Sequence, residues 1–209
     1  MIAVIGTPRL RGSGEDADVA GLAAAIAVAA AAAGSRVELI GKVGNDPSGD
    51  AVLLALAKRH VGHVATLRDP ARGTPVIPAV DEPPDVDGTG AELAASTPEA
   101  PVLEAADVGL ALRYLPELAV IVTVHTTPDV VEEAVAASGW AQTALTVVVS
   151  RDEAAPEGLP ETATVVAVAD DDELEAGAGA AIGRYAAALD QGEQAAEAYA
   201  ELVATGSAT

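Results

Sequence analysis

The chain has 209 residues and carries 32 acidic side chains against 11 basic ones, a formal charge of −21. A surface with that excess repels phosphate backbones and anionic lipid, which excludes nucleic acid and membrane surfaces as partners. Half of the residues are hydrophobic, enough for a real core, yet with no Phe, one Trp and three Tyr they are mostly Ala and Val, poor material for aromatic-lined pockets. Without cysteine there is neither a disulfide framework nor a thiolate metal site.

The first residues, Met1-Ile2-Ala3-Val4-Ile5-Gly6, have no basic leader and no long apolar stretch, so they read as a buried strand over 2–5 in a protein expected to be cytoplasmic. A helix over about 19–33 follows, and its apolar run is too short to cross a bilayer. A strand at 37–40, a helix over about 48–60 and a strand at 64–67 continue an alternation that predicts a parallel sheet covered by helices. From 68 to 101, Pro70, Pro75, Pro78, Pro83, Pro84, Pro98 and Pro101 predict an irregular excursion with at most one short edge strand, 76–80.

Order resumes with the apolar stretch 108–112. Segments 118–124 and 145–150 are nearly continuous Val, Ile and Thr, as strands buried on both faces are. Between them, Thr127 as N-cap and Pro128 at the first position open a helix to 138. A strand at 165–169 leads to the acidic run Asp170-Asp171-Asp172-Glu173. The small-residue turn Gly177-Ala178-Gly179 then enters a helix over about 180–189, and a break at Gly192 precedes a last helix from 194 to about 204. The fold these elements define is one three-layer α/β/α sandwich spanning 1–209, with a mainly parallel, Rossmann-like sheet.

Candidate chemistry is sparse. Gly177, Ala178 and Gly179 ahead of a helix would let backbone N–H groups converge on an anion, with the helix dipole adding positive potential. The bland account is a tight helix start, and the segment is no Walker loop, having no Gly-Lys-Ser/Thr ending. His60 and His63 read as helix-end or surface residues rather than metal ligands, and the acidic run reads as a solvated loop rather than a Mg²⁺ site. No Gly-x-Ser-x-Gly elbow supports a hydrolase.

Gly34, nine residues and then Gly44, within Val37-Glu38-Leu39-Ile40-Gly41-Lys42-Val43-Gly44-Asn45-Asp46-Pro47-Ser48-Gly49, resemble the first signature of the PfkB, or ribokinase-like, carbohydrate kinases. Ala105-Ala106-Asp107-Val108 and Thr127-Pro128-Asp129-Val130-Val131 resemble that family's central βα units, and Gly177-Ala178-Gly179-Ala180-Ala181 resembles its second signature, Gly-Ala-Gly-Asp. A second placement sets 165–176 on an internal unit of the family and leaves the second signature absent. The resemblance implies a ribokinase-like fold with a reduced lid, and structural signature roles for Gly34, Gly41, Gly44, Asp46 and Gly49. It implies ATP and Mg²⁺ as ligands if the cradle at 177–179 is retained.

The resemblance also shows departures. Ala180 stands where the family places its catalytic Asp, so the position has no base; Ala25 stands at its sugar-contacting Asn; and Thr7-Pro8-Arg9-Leu10-Arg11 lacks the Asp that meets sugar hydroxyls. The chain is shorter than typical members, skipping βα units between 150 and 165. The implied protein is a degenerate ribokinase-like member without sugar kinase activity, binding a nucleotide or small metabolite or acting as a homo-oligomer. The alternative is an active carbohydrate or nucleoside kinase with a relocated base.

Overall fold

The computed structural model describes residues 1–14, 17–79, 99–169 and 172–206. Six strands, β1 (Ile2–Ile5), β4 (Val37–Gly44), β5 (Thr66–Asp69), β7 (Val120–Val124), β8 (Ala144–Ser150) and β9 (Thr164–Val168), form one parallel sheet in the order β5-β4-β1-β7-β8-β9. Strand β1 lies at its centre, with Ile2 beside both Val37 and Val120. All four of its residues are buried, which accounts for their unbroken apolar character.

Alternation along the strands sorts the core into two layers. Ile2, Val4, Leu39, Val120 and Val122 pack with α1 (Leu22–Ala32), α2 (Pro47–Lys58), and the C-terminal pair of helices. Ala3, Ile5, Ile40, Ile121 and Val147 pack with α3 (Ala105–Tyr114) and α4 (Pro128–Ala141). The C-terminal pair is α5 (Asp172–Asp190) and α6 (Ala195–Gly206), joined through Gly192 at φ 89°. The result is an α/β/α sandwich.

A small second sheet, ordered β3-β2-β6, comprises β2 (Arg9–Arg11), β3 (Asp18–Ala20) and β6 (Val76–Ile77). It corrects two sequence expectations. The first helix begins at Leu22 rather than 19, because Asp18, Val19 and Ala20 pair antiparallel with β2 and the chain turns at Gly21, φ 90°. The edge strand expected at 76–80 is Val76–Ile77, parallel to β2; residue 80 lies outside the described residues.

Further boundaries differ, among them β5, which runs Thr66–Asp69 rather than 64–67. Strand β4 runs past 40 to Gly44, since Gly41 lets it approach the first strand: a Cβ there would lie 2.6 Å from the Gly6 carbonyl. The stretch 108–112 is helical, inside α3, whose start is held by the Glu104 N–H donating to Asp107 Oδ2 at 3.4 Å. Helix α5 begins at Asp172, eight residues ahead of the expected Ala180, through the helix-forming run Asp-Glu-Leu-Glu-Ala. Residues 177–179 therefore lie inside a helix, not in a turn before one.

Helix α5 lies close across α1. A Cβ at Gly179 would sit 2.5 Å from the Ala25 methyl, and one at Gly183 would meet the Ile26 carbonyl at 2.5 Å and the Ala29 methyl at 2.6 Å. Small residues on both helices permit this approach, and α1 is apolar all round because it is covered by the sheet on one side and α5 on another. The Tyr185 hydroxyl bonds Thr164 of β9 at 2.8 Å, and its ring meets Tyr199 of α6 edge-on at 6.3 Å. Gly177, by contrast, faces open space. Urea denaturation is expected to show Gly183→Val destabilised by about 1–3 kcal/mol or more through overpacking, and Gly177→Ala stabilised by about 0.5–1 kcal/mol through helix propensity. Equal effects would contradict this placement.

Candidate functional site

Strand β1 continues through the small sheet to α1 on one face, whereas β7 continues to α4 on the other. Ligands in open α/β sheets bind where neighbouring strands diverge in this way, beyond their carboxyl ends. A crevice of about 270 Å³ lies there. Thr7 and Arg9 enter from beyond β1, Leu22 and Ala23 from the start of α1, Pro75 and Pro101 from the excursion, and His125 from the end of β7. Gly6 keeps the floor tight: a Cβ there would meet the Ala23 methyl at 2.8 Å and the Val124 carbonyl at 3.1 Å.

The polar groups of the crevice are unlike the rest of this acidic chain. Among the described residues no Asp or Glu lines it, while Arg9 and His125 do. The Arg9 side chain runs over Gly21, where a Cβ would be 3.3 Å from its Nε, and Gly21 begins α1 without a side-chain cap. The helix start thus presents backbone N–H groups beside a guanidinium. His125 holds a left-handed backbone, φ 47°, at the strand end. An adjoining cavity of about 160 Å³ lies under the small sheet, bounded by Arg11, Ala25 and Ala176 and by Asp18, which is paired with Arg59. At Ala25 it meets a methyl group, which neither donates nor accepts a hydrogen bond.

Four of the five signature residues stand at the carboxyl half of β4 and the start of α2. Asp46 caps α2, its Oδ1 accepting from the Gly49 N–H at 2.7 Å. The same carboxylate accepts from the Thr74 N–H at 2.8 Å and the Thr74 hydroxyl at 2.8 Å, and that hydroxyl accepts from the Gly44 N–H at 2.9 Å. Gly44 is required because a Cβ would lie 2.7 Å from both the Arg72 carbonyl and the Thr74 N–H. Gly49 is pressed against the Gly44 carbonyl and Gly41 against Gly6. Gly34 stands apart, turning the chain after α1 at φ 94°. Burial works against ionisation of Asp46, but the Thr74 and Gly49 N–H groups, the Thr74 hydroxyl and the Ser48 N–H outweigh it and hold the carboxyl below its ordinary value. A salt bridge from Lys42 to Asp107, 2.7 Å, ties β4 to α3.

The structure does not bring Gly177, Ala178 and Gly179 to these residues as a phosphate cradle. At the sixth to eighth positions of α5, their N–H groups point along the helix to carbonyls four residues earlier. Gly179 is consumed by contact with Ala25. The segment does not fit the phosphates of ATP·Mg²⁺. Ala180 is the ninth residue of α5. His60, at φ 59°, follows the end of α2 and His63 lies in the next loop, so they share no helical face. Among the described residues no cluster of His, Asp and Glu gathers for a metal, and no helix is long and apolar enough to cross a membrane. Asp170 and Asp171 lie outside the described residues.

Sequence reasoning missed Thr74 and His125 and gave Arg9 no role. Thr74 follows Arg72-Gly73 in a proline-rich stretch without periodicity, and its partner Asp46 is 28 residues away. Its only local signal was a hydroxyl beside Pro75. His125 had one, standing directly after a buried β-branched strand, where strand-end residues of α/β sheets reach the ligand side.

No protein-family model matches the sequence, and no curated protein does. Solved structures do match the fold. The structure described as Sa239 superposes with a TM-score of 0.70 at 12% identity, covering 100% of this chain and 93% of that one. A PfkB protein from Polaromonas sp. JS666 gives 0.64 at 16% identity, covering 98% and 94%. A putative ribokinase II from E. coli, in complex with ATP and Mg²⁺, gives 0.59 at 15% identity, covering 94% and 88%. The chain therefore has the PfkB/ribokinase-like carbohydrate kinase fold.

The Asp46 hub predicts a pH dependence. A carboxyl whose folded pKa is depressed contributes stability that is complete above its unfolded value, about 3.9, and is lost as pH falls through the folded value. Asp46→Asn is expected to cost about 1–3 kcal/mol at pH 7 in chemical denaturation, with the gap to wild type narrowing toward pH 3. Parallel stability curves across that range would contradict the assignment.

Proposed function

We propose that this protein is a degenerate ribokinase-fold member that does not transfer phosphoryl groups and instead binds a small polar metabolite in the crevice beyond β1 and β7. The observation that carries the reading is Ala180: a methyl group inside α5 stands where the resemblance places the base that deprotonates the sugar. Loss of a positioned base alone lowers such a rate about 10²–10⁴-fold. Phosphoryl transfer depends on positioning and electrostatics, so the added absence of a phosphate cradle and of polar contacts at Ala25 supports loss rather than tuning. Crevice geometry supports retention of binding, because the strand-end opening, the uncapped start of α1 and Arg9 remain.

The test is ADP release with ATP, Mg²⁺ and a panel of sugars and nucleosides, alongside calorimetric titration of each ligand. The expected result is no turnover above background, with saturable heat from a polar metabolite. Turnover on any member of the panel would overturn the reading in favour of an active kinase with a relocated base. Ala180→Asp is expected to stay inactive, because a carboxylate in the third turn of α5 is not at a helix start facing a substrate.

A further inference from the structure

The six-stranded sheet ends differently on its two sides. Strand β5 carries Arg68 and Asp69, and Arg68 is paired with Asp50 of α2, a charged finish of the kind that keeps an edge from pairing with another chain. Strand β9 is Thr164-Val165-Val166-Ala167-Val168, without a charge, a proline or a glycine. Among the described residues no strand pairs with its outer side. The direction of its backbone groups follows from one bond: the Arg151 N–H donates to the Val168 carbonyl at 2.8 Å, so Val168 turns its backbone toward β8. Alternation turns Val166 and Thr164 the same way and aims the N–H and C=O of Val165 and Ala167 outward. Ala167 is exposed there.

Helix α6 leaves an apolar flank uncovered on the same side. Its Ala198 and Leu202 are buried, whereas Ala196, Tyr199, Ala200 and Val203 are exposed. At 3.6 residues per turn these four fall together, and Glu197 and Glu201 fall on the opposite side of the helix. The Tyr199 ring meets Tyr185, whose hydroxyl bonds Thr164, so the flank borders β9. In a chain of charge −21, an unpaired strand and a helix flank lie side by side without a carboxylate on either.

We infer that this edge pairs with a second copy of the chain, β9 running antiparallel to its twin. Val165 and Ala167 lie symmetrically about Val166, so a two-fold axis there sets each Val165 opposite Ala167 of the second copy, and every outward N–H meets a carbonyl. The same axis brings the two α6 flanks toward each other over the joint. Charge selects this occupant: copies that repel each other elsewhere meet at low cost only where carboxylates are absent, and a basic partner would find none here to hold it. The inference is independent of the crevice reading, because β9 and α6 line no part of that crevice.

Sedimentation of the full chain, with amide hydrogen exchange of the same samples, tests it in about 0.15 M KCl, where repulsion between copies is screened. A joint of one short strand and one helix flank is small, so a dimer with a dissociation constant of about 10–100 µM is expected. Between about 5 and 500 µM protein, exchange at Val165 and Ala167 is expected to slow about tenfold, while Val166 and Val168, already bonded to β8, stay unchanged. Ala167→Glu and Tyr199→Glu are each expected to weaken the dimer about tenfold or more by setting like charges across the axis, and Ala136→Glu on α4 to leave it intact. A monomer at the highest concentration, protection of Val165 and Ala167 that does not depend on concentration, a dimer in which they stay unprotected, or equal weakening by Ala136→Glu would each overturn the inference.

Discussion

The close crossing of α1 and α5 is the constraint from which most of this molecule follows. Two helices approach so nearly only when small residues face each other, and here Gly179 and Gly183 meet Ala25 and Ala29. The alanine excess that looks like mere composition is, along α1, the condition for sandwiching a helix between a sheet and a second helix. In a core built of Ala and Val, burial per residue is small, so stability depends on packing many short side chains at close range rather than on large aromatic anchors.

That crossing also redirects function. A glycine pair that would cradle an anion in a turn before a helix is, inside a helix, a contact surface. The backbone N–H groups that phosphate would need are spent on helix carbonyls. The opening where β1 and β7 diverge stays available to ligands, and among the described residues its lining holds Arg9 and His125 and no carboxylate.

Much of the fold is written locally. Ile2-Ala3-Val4-Ile5 and the run 145–150 announce central strands, and Thr127-Pro128 marks a helix start within the observed α4. Of the signature glycines, Gly44 and Gly49 are tied to Asp46, which gathers them and Thr74 into one hydrogen-bonded hub. Less legible was whatever depends on distant partners. Asp18-Val19-Ala20 merged with the helical alanine run because its strand character comes from pairing with β2. Gly177-Ala178-Gly179 read as a turn because propensity penalises glycine in helices, and only contact with α1 shows why the penalty is accepted. Thr74 was hidden for the same reason, since a hub 28 residues from its partner leaves no periodic trace.

The central claim, that 177–179 is helix rather than phosphate cradle, is tested most directly by amide hydrogen exchange at those three residues with and without ATP·Mg²⁺. Helical placement predicts slow exchange, comparable with the neighbouring amides of α5, and no change on adding nucleotide. Fast exchange in the free protein that becomes protected by ATP·Mg²⁺ would contradict it and return the segment to the role of an anion-binding turn.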